Sequence, residues 1–153
     1  MSRKRCVRRV WALVNPIDHA INGACITPKD SLDKLRLLEL SALEAFKRGR
    51  ATVSDWKAIA DMHNLSEQMG ESGIGPEALT ACEASDAALT SCRLRYRKTG
   101  KMGVSALELR AFEELFEYHD LQRQSIGRGD YEKQINRLRN RIRSAPDSAR
   151  VTV

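Results

Sequence analysis

The chain has 153 residues, with 26 lysines and arginines against 20 aspartates and glutamates, for a formal charge of +6. Apolar residues at 42% and charged residues at 30% give the balance of one folded domain that can bury its own core, which excludes a disordered chain. No apolar run approaches the roughly 18–20 residues of a membrane-spanning helix, and eight aromatics and four prolines in an Ala-, Leu-, Glu- and Arg-rich chain predict helices over strands.

The first ten residues, MSRKRCVRRV, hold five cations and no acid. They are read as a basic N-terminal arm over residues 1–10. The following WALV gives way at once to Asn15 and Pro16, too short and polar a stretch for a secretory signal, so a cytoplasmic protein is expected. A helical domain over 11–145 and a frayed tail over 146–153 complete the predicted organisation.

Thr27, Pro28 and Asp30 mark the start of the first long helix, and Lys47, Arg48 and Gly49 mark its end. Leu32, Leu35, Leu38, Ala42 and Phe46 share one face, and Leu40 and Leu43 widen it, which predicts burial on more than one side. The second helix takes Thr52 or Ser54 as its cap and carries Trp56, Ile59, Met62 or His63, and Met69 at helical spacing.

A third helix is predicted from Pro76, with Ala78, Cys82, Ser85, Leu89, Cys92 and Tyr96 at alternating spacings of four and three. After the link TGKMGV, Ser105 and Glu108 form a capping-box pattern, followed by a seam of Leu109, Phe112, Phe116, His119, Arg123 and Ile126. Small residues on one helix facing Phe and Leu on the next predict a central antiparallel αα-hairpin over 76–126. The last helix is expected near Asp130 as N-cap, with an apolar stripe of Tyr131, Ile135, Leu138 and Ile142, and Pro146 stops it. The architecture predicted is a single-domain, all-α bundle of five or six helices.

Chemistry-bearing motifs are scarce. Cys6, Cys25, Cys82 and Cys92 form no CxxC pair and have no histidine at a ligand spacing, which predicts reduced thiols and no zinc site. GKMGVS lacks the spacing of a phosphate loop, and GRGD reads as a turn between helices. Glu113, Glu117 and Asp120 share a helix face near His119, but the Glu-x-x-His pairing on two helices is missing, so no metal is expected. No nucleophile elbow or Cys-His signature appears, so no catalytic residue and no cofactor are assigned.

The net positive charge is terminal. Besides the arm, residues 128–150 hold seven cations against three acids. The candidate binding residues are therefore Arg3, Arg5, Arg8 and Arg9 in the arm and Arg137, Arg141 and Arg143 in the last helix. The solvated-charge alternative has these arginines pairing with acids such as Glu113, Glu114, Glu117 and Asp120.

The strings CVRRVWALVNPIDHAINGA and FEYHDLQRQS resemble a family of uncharacterised small helical proteins of proteobacterial prophages and mobile elements. The resemblance implies a non-enzymatic protein that binds a host or defence protein complex stoichiometrically, as anti-CRISPR inhibitors that mask nucleic-acid sites do. It transfers no catalytic residue. A direct DNA- or RNA-binding accessory protein is the alternative, and an enzyme with an unrecognised site the third.

Overall fold

The structure, a computed structural model, describes residues 10–11 and 28–153. Five helices follow one another: α1 (Pro28–Lys47), α2 (Val53–Glu71), α3 (Ala78–Thr99), α4 (Ala106–Ser125) and α5 (Arg128–Ser144). A 3₁₀ turn (Asp147–Ala149) and two-residue strands β1 (Val10–Trp11) and β2 (Arg150–Val151) complete it. The all-α bundle expected from composition and periodicity is what the chain forms.

Capping sets most boundaries. Thr52 caps α2 and Ser105 caps α4, each in a reciprocal box with the third helical residue, Asp55 and Glu108. The box satisfies two backbone donors that the first turn would otherwise leave open. Replacing Ser105 with alanine is expected to cost about 1 kcal/mol, read as a lower urea midpoint at constant slope. Gly100 ends α3 at φ +70, where its N–H reaches the Tyr96 carbonyl.

Two boundaries differ from expectation. Helix α3 begins at Ala78 because Pro76 and Glu77 occupy a turn in which the Gly75 carbonyl accepts from Ala78 N. Helix α5 begins at Arg128 with Gly127 at the cap, whose carbonyl takes the Asp130 and Tyr131 N–H groups. Asp130 is thus a first-turn acid, bonded to Lys133 at 2.9 Å.

The predicted hairpin is present. Ala78, Cys82, Ser85, Leu89 and Cys92 are buried on α3, against Phe112, Phe116 and His119 on α4. Arg95 clamps Glu108 at 2.9 and 3.1 Å across the turn, and Cys92 Sγ meets Met102 Sδ at 3.3 Å. Cys82 and Cys92 are free, buried thiols.

Helix α1 is where apolar periodicity overstates burial. Leu35, Ala42, Leu43 and Phe46 are inside, but Leu37, Leu38 and Leu40 are exposed. The reason is that α1 packs on α2 and α4 along one side only. The position one turn after Leu35 goes to Glu39, which is buried.

Two apolar clusters make the core. One joins Ala42, Phe46, Trp56, Ile59, Leu89, Phe112 and Leu115; the other joins Leu35, Leu65, Met69, Tyr131, Ile135 and Leu138. Between them runs a polar layer. Along α1, Glu39 lies between Leu35 and Ala42, and along α2, Asp61 lies between Ile59 and Leu65.

The C-terminal segment, expected to fray, is instead packed. Ala149 is buried, Val151 and Val153 pack against the first cluster, and Val10 and Trp11 pair in parallel with Arg150 and Val151. Three apolar side chains with a core to cover overcome the fraying tendency of a chain end.

Candidate functional site

The predicted basic residues have different fates. Arg3, Arg5, Arg8 and Arg9 lie outside the described residues, although β1 fixes the chain directly after Arg9 beside Arg150. On α5, Arg141 is only partly exposed and bridges Glu71 at 2.9 Å and Glu67 at 3.2 Å. It ties α5 to α2. Arg137 and Arg143 stand on the exposed face, about 120° apart around the axis at 100° per residue.

Neighbouring cations are compensated. Arg128 pairs with Glu132, Lys133 with Asp130, and Arg150 with Asp147. None of the arginines of α5 meets Glu113, Glu114, Glu117 or Asp120 among the described ion pairs. Asp120 is engaged by Arg36 at 3.0 Å. The outer face of α5 therefore presents Arg137 and Arg143 as cations with no ion-pair partner among the described residues, separated by Asn136 and Asn140.

The second concentration of chemistry is the polar layer, most of which sequence reasoning missed. The Arg123 guanidinium bonds the Glu39 carboxylate through Nη2 and Oε2, and its Nε lies 3.9 Å from Asp120. Burial nevertheless pushes Glu39 up to about 7, against the pull of Arg123. Asp61 is 3% exposed, and neither of its carboxyl oxygens has a hydrogen-bond partner among the described residues. Burial, reinforced by Glu39, holds its titration well above the ordinary aspartate range.

Hydrogen bonding fixes the tautomer of His119. Gln122 Oε1 is an acceptor, so Nδ1–H donates to it at 3.4 Å, which leaves Nε2 to accept from the Tyr131 hydroxyl at 3.5 Å. Burial, helped by Arg123, lowers His119 to about 3. The imidazole is neutral, so its 3.8 Å approach to Glu39 is not an ion pair.

Among the described residues, Ser85 and His63 form an arrangement that resembles a nucleophile beside a base, at 2.8 Å. Ser85 Oγ donates its proton to the Cys82 carbonyl at 3.0 Å, so His63 Nδ1–H must donate to Ser85. That polarity does not activate the hydroxyl. Both residues are buried, and burial lowers His63 to about 4.

Open surface grooves among the described residues include two that border the helices discussed above. One of about 440 Å³ between α1 and α4 is edged by Arg36, Asp120 and Arg123, and one of about 340 Å³ is lined by Trp56, Lys57, Tyr96 and Val151. Neither touches His63, Ser85 or His119. Among the described residues no three of His, Cys, Asp and Glu converge as metal ligands would, and no helix is long and apolar enough to cross a membrane.

No protein family, no curated protein and no solved structure matches the chain.

Proposed function

We propose that this is a non-enzymatic, cytoplasmic binding protein of phage or mobile-element type. It engages a host or defence protein complex stoichiometrically. The observation that carries the reading is the outer face of α5, where Arg137 and Arg143 stand exposed with no acid paired to them among the described residues. The β1–β2 pairing adds to it, since Val10 and Trp11 lie beside Arg150 and Val151, shortly after the end of α5.

On α5 itself, a protein target is favoured over direct nucleic acid by the small number of cations left available. Tight phosphate binding uses on the order of 6–10 cationic contacts. Arg128, Lys133, Arg141 and Arg150 already face carboxylates. Two arginines set among asparagines suit an acidic patch on a protein, and Leu94, Leu107 and Leu121 are exposed elsewhere on the surface. The resemblance to prophage proteins supplies the expected class of target.

In a pull-down from host lysate, wild type is expected to retain one specific partner complex. The pair Arg137→Glu with Arg143→Glu should weaken that complex roughly 10- to 100-fold, with unchanged thermal stability. A salt-sensitive mobility shift on DNA or RNA, lost in the same variant, would establish the nucleic-acid alternative instead. No specific partner and no shift would overturn both.

A further inference from the structure

Glu39, Asp61 and Tyr131 come from three helices, α1, α2 and α5, and line one small cavity whose remaining wall is apolar, including Leu35, Met62 and Leu65. Its volume is about 10 Å³. That is about the space one water requires, and a buried water needs two to four polar partners. The Asp61 carboxyl is fully buried with both oxygens unbonded among the described residues, and the Tyr131 hydroxyl gives its proton to His119, which leaves its oxygen as an acceptor.

We propose that this cavity is a proton-linked site: it holds one ordered water between the Asp61 carboxyl, the Glu39 carboxyl and the Tyr131 hydroxyl, and its protonated form latches α1 onto the bundle. With Asp61 as a neutral acid, its O–H donates to the water, and the water donates to Glu39 and to the Tyr131 oxygen. Each of the three polar groups then makes a hydrogen bond to the water, and one Asp61 oxygen stays an acceptor without a donor among the described residues. Loss of the Asp61 proton to solvent places a second anion against Glu39 across the α1–α2 contact. The N-terminal half of α1, with Leu35 and Glu39, then opens to hydrate it.

The charges around the site set the direction. Glu39 of α1 raises Asp61, and Lys57 on α2 itself opposes that weakly. Behind Glu39 stand Arg123 and Asp120 of α4 and Arg36 of α1, with Tyr131 of α5 and His119 of α4 closing the other side. A carboxyl whose closed-state titration lies above its open-state value stabilises the closed form most at low pH, and that stabilisation is lost as pH rises through the window between the two. Histidines held neutral act oppositely, but only below their ordinary value near 6.5. From pH 6.5 upward the carboxyls alone set the slope.

The test is amide hydrogen exchange by NMR on the whole protein between pH 6.5 and 8.5, with intrinsic rates divided out. Protection of α1 residues 35–43 is expected to fall as pH rises, by up to about tenfold per pH unit for each proton released on opening, while starting below that of α4. Above about pH 7.5, past the Glu39 titration near 7, Asp61→Asn should reduce the change to under about twofold per unit. A flat wild-type profile, an unchanged slope in Asp61→Asn, or α1 and α4 exchanging at one common protection would overturn the latch. Carbon-13 titration of the wild-type Asp61 carboxyl decides the point even if the variant fails to fold: an ordinary midpoint near 4 refutes it. At pH 6, water NOEs to the methyls of Leu35, Met62 and Leu65 are expected, and their absence would refute the bound water.

Discussion

Replacing Arg123 with methionine is expected to destabilise the fold by about 3–5 kcal/mol. Arg123 is 6% exposed and is the cation bonded to buried Glu39. Methionine fills much of the same space but leaves Glu39 in a low-dielectric site beside Asp61, where it must either stay charged without a partner or take up a proton. The same physics makes the double variant informative. Glu39→Leu with Arg123→Met removes both charges together, and replacing a buried ion pair with apolar groups of similar volume is often neutral or stabilising. The double variant should therefore lie within about 1–2 kcal/mol of wild type, well above the sum of the single losses. Urea unfolding of the four proteins measures the coupling, and additive losses would mean that the pair does not act as a unit.

Gln122→Leu is expected to cost about 2–4 kcal/mol, through orphaned partners and not through lost volume. Gln122 Nε2 donates among the carbonyls of Ser66 at 3.1 Å, Ile74 at 2.8 Å and Gly75 at 3.2 Å, and Oε1 accepts from Ser66 Oγ at 2.8 Å. One amide thus pins the α2–α3 turn to α4. The turn is shaped for it: Gly75 has φ +57, and a Cβ there would meet Gln122 Cγ at 2.8 Å. Leucine keeps the packing but offers neither donor nor acceptor. Chemical denaturation gives the loss, and amide exchange in residues 72–77 should accelerate more than exchange in the α3–α4 hairpin. Uniform acceleration would indicate a packing defect only.

The elements most legible in the sequence were those whose signal is local. Thr52 with Asp55 and Ser105 with Glu108 announce helix starts by side chains three residues apart, and the α3 seam repeats Ala78, Cys82, Ser85, Leu89 and Cys92 without interruption. Arg123 and His119 also stood out on the α4 seam. Glu39 and Asp61 did not, because a carboxyl on an apolar stripe reads as the edge of that stripe, and only a partner from another helix makes its burial tolerable. Leu38 and Leu40 failed in the opposite sense. Leucine periodicity gives the direction in which a helix can bury itself, and the number of neighbours that arrive is decided by the rest of the bundle. The basic residues were legible as charge, but pairing depends on tertiary contact: Arg141 is consumed by Glu67 and Glu71, whereas Arg137 is not.

The short pairing of Val10–Trp11 with Arg150–Val151 also dictates an order of events during synthesis. The α3–α4 hairpin closes over neighbouring segments and can form as soon as both helices have left the ribosome, whereas β1 must wait for a partner made some 140 residues later. Parallel strands cannot be joined by a tight turn, so here the whole bundle is the crossover. Closure of the two ends is therefore a late step, and a chain interrupted before residue 150 would retain the hairpin while β1 is left without its pairing edge.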